Sequence, residues 1–200
     1  MRRRIRWGIA LLGAVLTLAV LGVWSLPWWL IASPSVPAAE VILHYPIETS
    51  PLVDEYVAAL YHQKVAPKIV CISKPVLCEL YSADYARQRL MALGVPAEDV
   101  LTLHLPNANC VAENLPRIIA MVKAHGWQQA VMVVRAPFSR IEGKLTAKYF
   151  EQAELRVTVT SAPKDRERFG IGWWTDHKTA QNTIQATISA LLDPLYPECR

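Results

Sequence analysis

Lys74, Arg135, Arg140 and Lys164 each stand just beyond a short apolar run in this chain. Ammonium and guanidinium groups in such positions recognise phosphate or carboxylate oxygens, arginine through a planar fork. Glu113 and Asn114 stand near the start of a helical pattern. A carboxyl group there can move a proton as general acid or base, and an amide can orient a substrate. Ser139 adds a hydroxyl between the two arginines. Each residue also has a plainer role: a surface arginine is often an ion-pair partner of little energetic weight, and a glutamate near a helix start often caps unpaired amides. His44, His104 and His177 read as structural, since none has a second ligand at metal-like spacing. Neither a metal nor a cofactor is therefore expected. A glycine-rich phosphate loop is missing after the first apolar run, where "HYPIETSP" stands instead. A G-x-S-x-G nucleophile elbow is missing too.

The elements that must position these groups alternate. Glu40 to His44 is a short apolar run. Pro51 to His62 follows at helical spacing, with Ser50 as N-cap and proline at the first helical position. Lys68 to Ser73 reads as a strand. Ser82 caps a helix over Ala83 to Leu93, and Gly94 closes it. Val100 to Leu105 is a strand, and the next helix reaches Ala124 with Pro116 in its first turn or at a kink. Ala130 to Val134, Arg140 to Gln152, Leu155 to Thr160 and Thr175 to Leu192 complete the series. Strand and helix alternate five times, which predicts a three-layer α/β fold with a mostly parallel five-stranded sheet. In such sheets ligands bind at the carboxyl ends of the strands. That rule gathers His44, Tyr45, Ser73, Lys74, His104, Asn107, Asn109, Arg135, Ser139, Arg140, Ser161, Lys164 and Asp165 onto one rim. Trp173-Trp174 either line a cleft there, pack on the core, or face a membrane or partner.

Ahead of this domain stands a different kind of segment. Trp7 to Ile31 contains no charged residue, and Arg2, Arg3, Arg4 and Arg6 precede it. As helix these residues would reach ~37 Å, enough for a hydrocarbon core of ~30 Å. Trp7 on one side and Trp24, Trp28 and Trp29 on the other fit interfacial belts, and the arginines orient the tail to the cytoplasm. A cleaved signal peptide would normally have an apolar region of only ~7–15 residues. The expected order is a basic tail over 1–6, a transmembrane anchor over 7–31, a Pro/Ser/Ala linker over 32–39 that is too broken to pack, and an exported α/β domain over 40–200. The formal net charge is +4, from 21 Lys+Arg against 17 Asp+Glu. Four of those arginines lie before residue 7, so the remaining 17 basic residues balance the acids and no nucleic-acid surface is indicated. Of the four cysteines, Cys71 sits inside an apolar run as a buried small hydrophobe would. Cys78 with Cys110 is the first choice for a disulfide.

Three segments resemble the YdcF/SanA/ElyC family. "SADYARQRLMALGVPAEDVLTL" (82–103) is similar to its helix–Gly-Val-Pro–strand segment. "CVAENLPRII" (110–119) is similar to its Asn-Thr-x-Glu-Asn helix start. "VVRAPFSRIEG" (133–143) is similar to its strand followed by Thr-Ser-Pro-Tyr/Phe-His. Glu113, Asn114, Pro137 and Phe138 match the family pattern. Cys110, Val111, Arg135, Ala136, Ser139 and Glu142 stand where it has other residues. The resemblance implies a Rossmann-like sheet behind one N-terminal transmembrane helix, and a role in envelope biogenesis or integrity at the bacterial cytoplasmic membrane.

Three functions follow as expectations. The first is a membrane-anchored domain that binds an anionic envelope metabolite or precursor through Lys74, Asn114, Arg135, Ser139 and Arg140. The second is a hydrolase or transferase on a lipid-linked or cell-wall precursor, with Glu113 as catalytic acid or base. The third is a non-catalytic scaffold for another envelope protein.

Overall fold

The computed structural model describes residues 2–45, 50–73, 75–77, 80–105, 111–170 and 172–192. Its elements run α1 (Arg2–Leu30), β1 (Val41–His44), α2 (Pro51–His62), β2 (Ile69–Ser73), β3 (Pro75–Leu77), β4 (Leu80–Tyr81), α3 (Ser82–Ala92), β5 (Val100–His104), α4 (Val111–Ala124), β6 (Gln129–Val134), α5 (Ser139–Gln152), β7 (Arg156–Ser161), α6 (Pro163–Arg168) and α7 (His177–Leu192). Five strands form an all-parallel sheet in the order β5-β2-β1-β6-β7. This is a three-layer, Rossmann-like α/β fold. β3 and β4 make a separate antiparallel pair that the sequence pattern did not announce.

The central strands are apolar on both faces because both are covered. Ile42, Ile69, Cys71, Val131 and Val133 pack with Val57 of α2 and Leu90 of α3. Val41, Leu43, Val70, Ile72 and Met132 pack on the opposite face with Leu115 and Ile118 of α4 and Phe150 of α5. Strand order reverses between β1 and β6, whose registers pair Val41 with Ala130 and His44 with Val133. The chains leaving these two strands run to helices on opposite faces of the sheet, α2 on one and α5 on the other, and such a switch point is where ligands bind in folds of this type.

Local signals act as expected in places and differently in others. Gly94 (φ +87°) ends the turn after α3, a left-handed conformation that suits glycine. Ser50 precedes α2, but its carbonyl rather than its hydroxyl accepts the Val53 and Asp54 amides. Ser82 is not the N-cap of α3: it is the first helical residue, and its hydroxyl is buried. Pro116 lies inside α4 in its second turn, so of the two expected placements, first turn or kink, the first does not hold. Residues 32–39 form no helix or strand, yet the expectation that they would not pack is overturned. The Ala39 amide donates to the Val65 carbonyl at 2.8 Å, the Gln129 amide side chain donates to the Ala38 carbonyl at 2.8 Å, and Val36 packs on the core. Backbone hydrogen bonds fasten the segment without regular structure.

α1 contains an 18-residue stretch, Gly13–Leu30, that is long and apolar enough to cross a membrane. Pro27 lies in its last turn. Leu30 is buried where α1 meets α7 and the 3-10 turn Ala136–Phe138 that follows β6.

Candidate functional site

β1 ends at His44, on the carboxyl edge of the sheet. His44 lies two residues beyond Ile42, so its side chain falls on the α2/α3 face of the sheet. It is fully buried, and its Nε2 lies 2.7 Å from Asp54 Oδ1. Asp54 stands in the first turn of α2 and is buried as well. Its other oxygen, Oδ2, lies 2.7 Å from Arg89 Nε of α3. With Nε2 donating to this carboxylate, Nδ1 is the ring nitrogen left to meet another group. Nδ1 is buried and has no hydrogen-bond partner among the described residues. An imidazole oriented by a carboxylate, with its second nitrogen unused, is the arrangement of a general base.

Arg135 directly follows β6 on the same carboxyl edge. The residue is buried, and its Nε lies 3.4 Å from Asp165 Oδ2. That oxygen also accepts the Ala136 amide at 2.8 Å. Asp165 sits in the first turn of α6 and is fully buried. Arg135 is thus a strand-end residue held against a buried carboxyl group, not a solvated edge residue.

On the opposite face, Asn114 of α4 donates from Nδ2 to the Tyr45 hydroxyl at 3.4 Å, and both residues are buried. Ser139 opens α5 and is buried, donating to the Ala136 carbonyl at 2.8 Å and accepting from the Ala32 amide at 2.9 Å. Glu142 lies one turn on, along the buried stripe Ser139, Glu142, Thr146 and Phe150. Burial pushes its carboxyl group up to about 8. The side chain is therefore mostly a neutral acid at pH 7, able to donate a hydrogen bond.

The structure brings Asn114, Arg135 and Ser139 of the expected site residues to the buried carboxyl edge. Glu113 is exposed in the first turn of α4. Arg140 is exposed and donates to the Ile31 carbonyl at 3.2 Å, so it serves the end of α1 rather than standing beside Arg135. Lys164 is exposed and lies 3.4 Å from Glu55. Lys74, Cys78, Cys110, Asn107 and Asn109 lie outside the described residues. His104 stacks on Tyr81 with ring centroids 4.1 Å apart, and its Nε2 lies 3.6 Å from Asp84. Trp173 packs inward, while Trp174 is exposed. Cys71 is buried beside His44 in the strand register, and burial, aided by the Asp54 charge, pushes its thiol up to about 12. Among the described residues no three His, Cys, Asp or Glu side chains group as metal ligands.

Sequence reasoning missed Asp54, Arg89 and Glu142. A signal was present for the two acids: each sits on an otherwise buried helix face, Asp54 beside Val53 and Val57, and Glu142 between Ser139 and Thr146. No protein-family model matches this chain, and neither curated proteins nor solved structures show significant similarity to it.

Proposed function

We propose that this chain is a membrane-tethered, extracytoplasmic domain that binds an anionic envelope precursor at the carboxyl ends of β1 and β6. One observation carries the proposal. His44 Nδ1, Ser73 Oγ, Glu142 Oε2, Ser161 Oγ and Asp165 Oδ1 are all buried without a hydrogen-bond partner among the described residues. All five belong to the carboxyl ends of sheet strands or to the first turns of the helices that follow. More than ~90% of buried polar groups in proteins are satisfied, and each failure costs about 1–3 kcal/mol. Such a concentration on one edge is what a polar ligand relieves. The N-termini of α2 and α5 open on this edge and favour a negative charge. Docking of the α1 end beside β6 supports a retained anchor and a lipid-linked ligand, because the tether holds that edge close to the bilayer. Resemblance to the YdcF/SanA/ElyC family supports the envelope setting at the bacterial cytoplasmic membrane.

The test is thermal unfolding of the full chain in detergent with a polyprenyl phosphate, a polyprenyl alcohol and a soluble cell-wall fragment. A ligand that binds the folded state alone raises the apparent melting temperature. The phosphate should do so, and Ser73→Ala and Ser161→Ala should each weaken its binding by roughly tenfold, the worth of one hydrogen bond. No shift with any of the three compounds, or unchanged affinity in both variants, excludes this site.

The His44–Asp54–Arg89 chain favours a second reading, hydrolysis or transfer on the same precursor. In it His44 rather than the exposed Glu113 takes the proton of the attacking hydroxyl. Turnover abolished by Glu113→Gln but retained in His44→Gln would return the base to Glu113.

A further inference from the structure

α7 is amphipathic in the wrong sense for a helix facing water. It buries Thr179, Asn182, Thr183 and Ala186. It exposes Ile184 and Ile188 (51% each), Leu191 (67%) and Leu192 (41%). These positions recur at helical spacing on one side, and Ile184 and Ile188 line an open groove of ≈ 540 Å³ with His177, Gln181 and Gln185. Surface helices normally turn their apolar stripe inward, and a continuous exposed apolar face marks a surface that something other than water covers. Trp174, just ahead of α7, is 49% exposed and meets the buried Trp173 edge-on at 5.9 Å.

The position of this face identifies its cover. α7 is in contact with α1. Within Gly13–Leu30 only Pro27 and Leu30 are buried, while Trp24, Trp28 and Trp29 remain exposed. α7 therefore adjoins the helix that is long enough to span a bilayer, and its exposed apolar residues are left uncovered by that contact. Tryptophan gathers at the headgroup level of membranes, and helices with a large apolar face lie in that boundary. α1 also touches the Ala136–Phe138 turn, and the Ala32 amide and Ile31 carbonyl bond Ser139 and Arg140 at the carboxyl edge of the sheet.

We infer that α7 and Trp174 rest in the headgroup–acyl boundary of the bilayer that α1 crosses, so that the carboxyl edge of the sheet is held at the membrane surface. The inference rests on the reading of α1 as a retained anchor. It adds a second, monotopic contact with the bilayer beside the crossing of α1 itself.

The test uses the full chain reconstituted into phosphatidylcholine–phosphatidylglycerol vesicles, with and without lipids brominated on their acyl chains. Tryptophan emission is compared for the unmodified chain, Trp174→Phe and Ile188→Trp, with Glu151→Trp, on the last turn of α5, as the control. The difference emission of Trp174 and that added by Ile188→Trp should be blue-shifted and quenched by at least half. Emission added by Glu151→Trp should be unaffected. If α1 is a retained anchor, Trp24, Trp28 and Trp29 make the total emission sensitive to the brominated lipids. Sensitivity of that total, with Trp174 and position 188 unquenched and water-like, overturns the α7 contact while the anchor stands. Blue-shifted but unquenched emission from these two positions means that protein, a second copy or another chain, covers α7, and it overturns the inference equally. Absence of all quenching removes the anchor and the inference together.

Discussion

Replacing Glu142 by glutamine removes a buried acid while keeping its shape. The side chain is only 6% exposed, and burial raises its carboxyl group from 4.5 to about 8. Below the lower value the group is protonated in both folded and unfolded chains, and it imposes no penalty. As pH rises, the unfolded chain releases the proton first. The folded state then binds more protons than the unfolded one, and stability falls with pH until the folded group also ionises. At ~1.4 kcal/mol per pH unit, a shift of that size corresponds to at most about 5 kcal/mol, of which roughly 3 kcal/mol develops between about pH 5 and pH 8. Water entry and local relaxation make the real value smaller. Urea titrations of the full chain in detergent, at several pH values across that window, give the stability of each form. The difference between Glu142→Gln and the unmodified chain isolates this group, because every other titrating residue is common to both. The variant should gain on the unmodified chain by about 2–3 kcal/mol as pH rises through the window. Parallel stability curves would refute the assignment of a neutral, desolvated carboxyl group at the start of α5.

Three further expectations follow from the buried groups. Asp54→Ala strips the carboxylate from between His44 and Arg89 and should destabilise the fold by about 3–5 kcal/mol, with Asp54→Asn milder because it can still pair with the ring; chemical denaturation distinguishes them. Arg135→Met should cost a similar few kcal/mol by leaving the Asp165 charge without its guanidinium, and adding Asp165→Asn should restore at least about 1 kcal/mol of it, so a strictly additive double variant would show that the pair is not coupled. Cys71 should resist alkylation in the folded chain and react once unfolded, as read by peptide mass mapping, since burial keeps its thiol protonated far above neutral pH.

The strand-helix alternation, the continuous apolar strands and the uncharged first segment were legible because each depends on neighbours in sequence. A strand buried on both faces must be apolar throughout, and Val41–His44 and Gln129–Val134 announce themselves on that ground. The carboxyl-edge rule likewise pointed to Arg135 and Ser139 from the order of elements alone. Ser50 holds the N-cap position its residue type announced, though without a side-chain hydrogen bond, whereas Ser82 falls one residue inside α3, behind Tyr81 as N-cap.

The sequence by itself thus determined the fold class, the edge at which polar side chains gather and the presence of a segment able to cross a membrane. Only the tertiary structure decided how those side chains are used. Asp54 meets His44 across ten positions of sequence, but Arg89 completes the chain from another helix. Arg135 turns inward to Asp165, whereas Arg140, on the next helix, turns to the end of α1. Burial sets the protonation of Glu142 and the reversed polarity of α7. Each of these depends on distances between elements remote in the chain, and electrostatic and desolvation energies are fixed by such distances rather than by residue type.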